Sequence, residues 1–429
     1  MKKVLLLAIV LAIASACAPP PPPEPDGSKA FVGARLYDGT GASPIENAVI
    51  IVRDGRIEAV GPADTVAISP GAERIDLAGK HVVPGLVNAH AHVSGIRGLE
   101  GGHYDESNLL RQLRLYARYG ITTVVSLGGD GPEAIRLRDA EDAKLDRSRV
   151  FVAGNVVTGT SVEEAQAPVD ANEAMGVDFI KIRVDDDLGT AVKMKAEIYQ
   201  AVIARAHEKG LKVASHLFYL DDAKGLLKAG TDFVAHSIRD QAIDDEVIGL
   251  LKERNVCYCP TLTREVSTFV YESVPEFFED PFFLKEADPA VLATLQEPER
   301  MQKMKESTAA QSYKKALEQA NANLKKAADS GVTIAFGTDT GPAARFQGYF
   351  EHMELSMMAE AGLTPEQILR SATGDAARCL GLTDVGTIEK GKMADFLVLN
   401  EDPLADIAKM RSLDSVWISG NRVPQGASE

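Results

Sequence analysis

The sequence predicts an α/β protein in which a (β/α)8 (TIM) barrel carries a small β-sandwich built from both ends of the chain. Two observations lead to this prediction. Eight apolar runs of strand length, most of them separated by helix-like stretches, lie in the middle of the chain, and this alternation is typical of parallel strands with helical crossovers. Short alternating runs with Asp-Gly turns lie towards the two ends, as in antiparallel strands. We expect the sandwich at 29–81 and 385–425 and the barrel at 82–384.

The composition is that of an acidic globular protein. Of 429 residues, 45% are hydrophobic and 25% are charged, with 46 Lys and Arg against 62 Asp and Glu and a net charge of −16. These values exclude collagen-like, coiled-coil and wholly disordered chains. The acidic balance also argues against a nucleic-acid partner, because such binding depends on Lys and Arg that neutralise phosphates. Four cysteines are too few for a disulfide scaffold.

The N-terminus has the features of an export signal. Lys2 and Lys3 precede a ten-residue apolar run, which is too short to span a bilayer. We therefore interpret residues 1–16 as a signal peptide. The sequence Ala-Ser-Ala-Cys at 14–17 resembles a bacterial lipobox and predicts lipidation of Cys17. Residues 17–28 would then form the lipid anchor and a stiff Pro-rich tether.

This interpretation predicts an exported, membrane-anchored bacterial lipoprotein that faces the periplasm or the cell exterior and meets the membrane only through its anchor. The alternative is ordinary secretory cleavage, which would give a soluble periplasmic or secreted protein. Both interpretations put the folded part outside the cytoplasm.

The eight predicted barrel strands follow one another along the chain, and the last connection is unusually long. A link of this length, at 263–332, predicts a helical insertion over the barrel mouth at about 263–310. The active site of such a barrel lies at the C-terminal ends of its strands. The predicted strands are 82–90, 121–128, 149–156, 178–184, 212–217, 233–237, 257–262 and 333–339.

Six side chains of metal-ligand type fall at the C-terminal ends of these strands or close to them. Histidine and carboxylate together suit zinc and related divalent ions. A single such histidine is more often a core residue with satisfied hydrogen bonds, but burying all six without partners would cost several kcal/mol each, and a metal pair would satisfy them. The six residues are His90, His92, Lys181, His216, His236 and Asp339.

Several motifs together resemble the metal-dependent amidohydrolase superfamily, in its imidazolonepropionase-like and prolidase-like branch. The motifs include VVPGLVNAHAHV, DFIKIRV, VASHLF, FVAHSI, AFGTDTG and VGTIEKGKMADFLVLNEDPL, and the similarity runs from about residue 30 to 423. The resemblance implies a divalent metal centre, with two zinc ions per chain bridged by a carboxylated Lys181. One ion would be held by His90, His92 and Asp339, and the other by His216 and His236. Asn88 departs from the pattern, since many relatives have Asp there.

The resemblance also implies a reaction, the hydrolysis of an amide, dipeptide or cyclic amide bond by a metal-activated hydroxide. Asp339 would be the catalytic residue, acting as general base and then as general acid. The alternative for Lys181 is an ordinary lysine beside a single ion. Deamination is disfavoured, because no Glu follows His216 closely. The alternative function is a metal- or solute-binding lipoprotein of the same fold without turnover.

Two residues are candidates for contacting the small-molecule substrate. Arg183 lies two residues beyond Lys181, and strand alternation puts both on one side, so Arg183 is a candidate anchor for a substrate carboxylate. His352, in the sequence GYFEHMELSMM, is a candidate for the active-site rim.

Two neighbouring features are interpreted as structural. Asp185, Asp186 and Asp187 are expected to begin the helix after the fourth strand, where negative charge is favourable. The cysteines after the export segment are expected to be small barrel and core residues. These are Cys257, Cys259 and Cys379.

Overall fold

The computed structural model describes residues 24–140 and 145–426, so the predicted signal peptide, Cys17 and most of the tether lie outside the described residues. The strands are β1 (Lys29–Leu36), β2 (Ile45–Arg53), β3 (Arg56–Pro62), β4 (Glu73–Asp76), β5 (His81–Pro84), β6 (Leu86–Ala91), β7 (Ile121–Ser126), β8 (Arg149–Val152), β9 (Phe179–Val184), β10 (Lys212–Leu217), β11 (Phe233–Val234), β12 (Cys257–Tyr258), β13 (Phe396–Leu399), β14 (Leu413–Ile418) and β15 (Asn421–Arg422).

Helices follow most of the parallel strands, and some begin at a side chain that accepts a hydrogen bond from the first turn, as Asp105 and Asp244 do. The α-helices are α1 (Glu106–Arg118), α2 (Pro132–Asp139), α3 (Val162–Met175), α4 (Ala196–Glu208), α5 (Leu220–Ala229), α6 (Asp245–Glu253), α7 (Leu262–Val266), α8 (Pro281–Leu284), α9 (Pro289–Leu295), α10 (Pro298–Glu306), α11 (Thr308–Asp329), α12 (Tyr349–Glu360), α13 (Pro365–Ser371) and α14 (Gly374–Leu380).

Strands from the two ends of the chain form one mostly antiparallel sheet. Its order is β15-β14-β13-β5-β1-β2-β3, and β4 pairs with β1. The two ends meet where β13 pairs with β5, with Phe396 opposite Pro84. Phe31, Phe396 and Trp417 pack edge to face or stacked in its core. The assembly of one sheet from both ends is as predicted, whereas its division into the two layers of a sandwich stays a prediction.

The middle of the chain forms two parallel sheets, which confirms the α/β class. One sheet has the order β6-β7-β8 and the other β12-β11-β10-β9. Most residues of these strands are buried, because parallel strands are covered on both faces. A parallel bridge between Val157 and Ile182 links the two sheets.

The eighth predicted strand is an extended segment with hydrogen bonds to neighbours on both sides, rather than a regular strand. Ile334 forms a parallel bridge with Tyr258 of β12, and the Ala89 N–H of β6 donates to the Phe336 carbonyl over 2.9 Å. The hydrogen bonds with β6 continue past Gly337, where a Cβ would lie only 2.9 Å from the His90 backbone nitrogen. Only glycine allows the two backbones to approach so closely.

The long connection before this segment is helical, as predicted, and contains α8 to α11. An aromatic cluster packs its beginning against α12 and the residues before it. Phe277 and Phe283 lie 5.0 Å apart between ring centroids, and Phe283 lies 4.8 Å from Phe346. Among the helices of the described ranges, none is long and apolar enough to cross a membrane.

A disulfide joins the start of β12 to α14, which corrects the interpretation of two cysteines. Cys257 and Cys379 are buried as expected, but their sulfur atoms are bonded at 2.01 Å. Cys259 is buried and free. The pairing brings together residues that are 122 positions apart, so no local pattern indicates it.

Candidate metal centre

The ends of the parallel strands bring three predicted ligands into one cluster. His90 lies in β6, His236 lies two residues beyond β11, and Asp339 ends the eighth segment. One ligand atom from each lies within 4.8 Å of the others. All three side chains are at least nine-tenths buried, and we call them the ligand cluster.

His92 and Lys181 lie against the ligand cluster. The Nε2 atom of His92 is 2.7 Å from Oδ1 of Asp339, and Nζ of Lys181 is 3.1 Å from Nε2 of His90. His216 reaches the cluster through its ring, which lies 4.2 Å from the His236 ring. The structure therefore brings all six predicted ligands together.

The second ring nitrogen of three histidines is held by the surrounding protein. Nδ1 of His90 lies 2.6 Å from the Ala235 carbonyl, and Nδ1 of His92 lies 2.9 Å from the Gly128 carbonyl. Each Nδ1 therefore carries a proton and donates it, which leaves Nε2 as the free lone pair. In the third histidine, His236, Nδ1 lies 2.8 Å from the Thr261 hydroxyl.

Burial keeps the imidazoles of His90 and His236 neutral. Desolvation, followed by the charge of Lys181, holds the pKa of His90 well below its ordinary value. Desolvation, followed by the charge of His216, does the same to the pKa of His236. Neutral imidazole is the form that binds a metal ion, so the ligand cluster is a candidate metal site.

In His216 the protein holds Nε2 rather than Nδ1, and the partner is the carboxylate of Asp185, which was predicted to begin a helix. Its Nε2 atom lies 2.8 Å from Oδ2 of Asp185, which leaves Nδ1 free. The prediction that Asp185 begins the next helix is wrong, because α4 starts only at Ala196. Asp185 lies one residue beyond β9, next to β10, and its side chain is 1% exposed.

The charges of this pair can be assigned. Burial lowers the pKa of His216 to about 4, despite the opposing hydrogen bond to Asp185. Burial alone would raise the pKa of Asp185, but the hydrogen bond with His216 and nearby positive charge lower it to about 2. At neutral pH a neutral imidazole therefore donates to an anionic carboxylate.

Asp339 has an uncommon backbone conformation for a residue with a side chain, since its φ is 60°. Such residues cluster at functional sites, where the surroundings hold them in place. Burial alone would raise the pKa of Asp339, but Arg345 and the close contact with His92 hold it well below its usual range. Nη1 of Arg345 lies 2.5 Å from Oδ2. The carboxylate is therefore anionic and has two oxygens in different surroundings.

Lys181 is buried, with 3% of its surface exposed. Burial lowers the pKa of its amine to about 8. About a tenth of this lysine is therefore a neutral amine at pH 7, the nucleophilic form of the side chain.

Two buried glutamates of α12 reach the strand ends, and neither was among the predicted site residues. Glu351 accepts hydrogen bonds from Asn88, Thr338 and Thr340. Glu354 accepts from the backbone of Leu262 and from both N–H and hydroxyl of Thr263. Burial raises the pKa of Glu354 to about 7.

The two candidate substrate residues have other partners. The structure does not bring His352 to the ligand cluster, because its Nε2 lies 2.8 Å from the Tyr119 carbonyl and its ring packs on Phe282. Arg183 lies opposite His216 in the β9–β10 ladder, on the side of the sheet that carries Lys181, and forms an ion pair with Asp187.

These features define a candidate His/Asp metal site at the ends of parallel strands, and comparison with known proteins identifies the family of the chain. Residues 81–423 match the amidohydrolase family model. The chain is 25% identical over 383 residues to imidazolonepropionase of Deinococcus radiodurans, with 85% of this chain and 88% of that protein covered.

Solved structures agree with this match. A putative prolidase from Bifidobacterium longum superposes with a TM-score of 0.75 at 26% identity, covering 94% of this chain and 96% of the other. A Xaa-Pro dipeptidase with bound methionine superposes with a TM-score of 0.73 at 24% identity, covering 92% and 99%, which supports the fold alone. The chain belongs to the amidohydrolase family, in its imidazolonepropionase-like and prolidase-like branch, and it is a hydrolase of carbon–nitrogen bonds.

Proposed function

We propose that this protein is an exported, metal-dependent amidohydrolase that cleaves an amide, dipeptide or cyclic amide bond in a small substrate. The observation that carries the proposal is the ligand cluster, whose buried imidazoles are neutral and whose ligand atoms lie within 4.8 Å of one another. Its relatives include an imidazolonepropionase and a putative prolidase, which supports small amides and peptides as the substrate class.

The residues present fit a divalent metal ion. His90, His92 and Asp339 would hold one ion, and His216 and His236 a second, with zinc favoured by imidazole and carboxylate ligands. The hydrogen bonds to the far nitrogens of these rings leave one lone pair free on each. When bound, the metal would polarise the scissile carbonyl and lower the pKa of water.

Lys181 would bridge the two ions after carboxylation. Its neutral amine attacks carbon dioxide, a nitrogen–carbon bond forms, and the amine proton leaves to solvent, which gives an anionic carbamate. The lowered pKa of Lys181 and its 3.1 Å distance from His90 support this step. An unmodified ammonium beside a dication would be repelled.

Asp339 would move the proton during catalysis. As an anion it accepts the proton of the attacking water, and it then delivers that proton to the leaving nitrogen. His92 lies against Oδ1 and Arg345 against Oδ2, so both oxygens of the carboxylate are held in place. Arg183 would anchor a substrate carboxylate, since guanidinium binds this group with paired hydrogen bonds.

The parallel strands would form a closed (β/α)8 barrel, and the sheet from the two chain ends a β-sandwich. The bridge between Val157 and Ile182 and the hydrogen bonds of Tyr258 and Phe336 support closure of the barrel. Export from the cytoplasm is supported by the disulfide between Cys257 and Cys379, because disulfides persist in oxidising compartments. Lipidation of Cys17 is part of the proposal on its sequence motif alone.

The deciding experiment is a metal-dependent activity screen of the chain from residue 18 onwards. N-acyl amino acids, dipeptides and lactams are tested with zinc, with a chelator, and with the Asp339→Asn variant. The proposal predicts turnover that the chelator abolishes and that Asp339→Asn lowers by orders of magnitude while the fold is kept. Full zinc loading without turnover would favour a binding lipoprotein.

A further inference from the structure

Glu351 is a buried carboxylate without a positive partner. Its exposed fraction is 0%, and among the residues that the structure describes no Lys, Arg or His forms an ion pair with it. Oε2 accepts from the Gly348 N–H over 2.6 Å. Oε1 accepts from Asn88 Nδ2 at 2.8 Å and from the hydroxyls of Thr338 and Thr340 at 2.8 and 2.5 Å.

Each of these side-chain donors is next to a predicted metal ligand. Thr338 and Thr340 flank Asp339 in the chain. Asn88 is two residues before His90, and its Oδ1 accepts a hydrogen bond from the His90 N–H over 3.0 Å. Asn88 also donates to the Thr338 hydroxyl over 2.8 Å. One carboxylate therefore ties the end of β6 to the end of the eighth segment.

The network has a fixed hydrogen-bond direction. Every group that points at Glu351 is a donor, and Asn88 must present its NH2 to Glu351 because its Oδ1 is occupied by the His90 N–H. An aspartate at position 88 would put a second carboxylate 2.8 Å from the first, and like charges at that distance repel strongly when buried. A buried carboxylate at position 351 or at position 88 that lacks hydrogen-bond donors would also carry a large desolvation penalty.

We propose that Glu351 is a positioning residue for the metal centre, acting through Asn88, Thr338 and Thr340 to set the distance between His90 and Asp339. In the hydrogen-bonded pair of Asn88 and Glu351, Asn88 is neutral and Glu351 carries the negative charge. The inference rests on the proposed metal-dependent function.

Exchange of the two groups tests the proposal. Asn88→Asp leaves two facing carboxylates, and Glu351→Gln removes the charge and an acceptor. In the double variant Asn88→Asp/Glu351→Gln, the glutamine NH2 donates to the new carboxylate at position 88 and its oxygen accepts from Gly348, so both partners are again satisfied. We expect each single variant to bind zinc roughly 10- to 100-fold more weakly, and the double variant to recover most of this loss.

The measurements are the zinc Kd by competition with a chromophoric chelator and the melting temperature of the metal-free protein. A purely structural role would lower the melting temperature while leaving the zinc Kd of the folded protein unchanged, and that result would overturn the proposal. A double variant whose loss equals the sum of the single losses would overturn it too. A wild-type protein that binds no zinc would instead contradict the proposed function.

Thr338→Val is the second variant, in case Asn88→Asp does not fold. It is nearly isosteric and removes one donor to Glu351, so we expect zinc binding about tenfold weaker. The matched control is Thr123→Val in β7, a buried threonine whose hydroxyl has no hydrogen-bond partner in the described part of the chain. It should leave the zinc Kd unchanged, and equal Kd values for both variants would refute the role of Glu351.

Discussion

Asp185 and His216 form a buried pair in which Oδ2 of the carboxylate lies 2.8 Å from Nε2 of the imidazole. Asp185 comes one residue after β9, and His216 is in β10, the strand that pairs with it in parallel register. The carboxylate fixes both the tautomer and the angle of the ring, whose neighbour on the metal side is His236. This arrangement gives His216 a different ligand atom from His90 and His92.

We therefore predict that Asp185→Asn weakens zinc binding roughly 10- to 100-fold, as expected for loss of a carboxylate that orients a ligand. Chelator competition measures the change. The control is Asp232→Asn, because Asp232 contacts the exposed His207 with nearly the same geometry, at 2.9 Å, away from the centre. Asp232→Asn should leave the zinc Kd unaltered, and an equal loss in both variants would show that the effect is not specific to the metal centre.

The disulfide makes a prediction about stability. It closes a loop of about 120 residues, and bonds of this kind contribute about 2–5 kcal/mol to the free energy of unfolding. The double variant Cys257→Ser/Cys379→Ser should lose an amount in this range in urea unfolding of the metal-free protein, and reductant should have no further effect on it. The Cys259→Ser variant keeps the disulfide, so reductant should still lower its free energy of unfolding. If reductant left the stability of the wild type unchanged, the disulfide between Cys257 and Cys379 would be contradicted.

The strand-end positions of the six predicted ligands follow from the sequence, because apolar runs that end in His, Lys or Asp mark the C-terminal edge of parallel strands. The partner of His216 could have been predicted as well, since neighbouring parallel strands bring residue 185 beside it. The charge run was interpreted as a helix start instead, and the loop continues to Lys195 before α4 begins.

Contacts between distant segments could not be predicted in this way. The motif around position 352 drew attention to His352, but a helix turns by about 100° per residue. Glu351 and Glu354, three apart, share the face that meets the strand ends, and His352 faces Tyr119 and Phe282 instead. Choosing the correct face requires the packing angle of α12, which depends on the whole fold.

Carboxylation of Lys181 predicts a metal content near two ions per chain in protein prepared with bicarbonate. Lys181→Ala should lose one or both ions, measured by elemental analysis, because the bridge between them is gone. The matched control is Lys212→Ala, an exposed lysine on the neighbouring strand β10, which should retain both ions. One ion in the wild type and in Lys181→Ala alike would contradict the bridge and favour a single-ion centre.

Acid should destabilise the metal-free protein in a defined pH window. The pKa of His216 is lowered to about 4, and those of His90 and His236 are lowered as well, so between about pH 6.5 and 4 the unfolded chain binds protons that the folded chain does not. These histidines therefore make stability rise with pH across this window, whereas Glu354, whose pKa burial raises to about 7, contributes in the opposite direction. We expect each histidine to lower the free energy of unfolding by about 1 kcal/mol when the pH falls from 6.5 to 5.5. Urea unfolding of the wild type and of His236→Asn, both with chelator present, isolates the histidine contribution, and the same pH dependence in both proteins would contradict it.

Arg183 gives the most specific prediction about the substrate. It lies opposite His216 in the ladder and on the same side of β9 as Lys181, and its guanidinium is shared with Asp187. If Arg183 anchors a substrate carboxylate, Arg183→Met should raise KM about 10- to 100-fold for a substrate with a free carboxylate. The amidated analogue of the same substrate should show no change.

Asp187→Asn is the complementary variant, because it removes the anion that competes for the guanidinium. It should lower KM for the carboxylate substrate and leave the amidated analogue as it is. Steady-state kinetics on both substrates, with zinc content checked for each variant, separates binding from loss of metal. If Arg183→Met impaired both substrates equally, the ion pair with Asp187 would have only the structural task of holding the loop after β9.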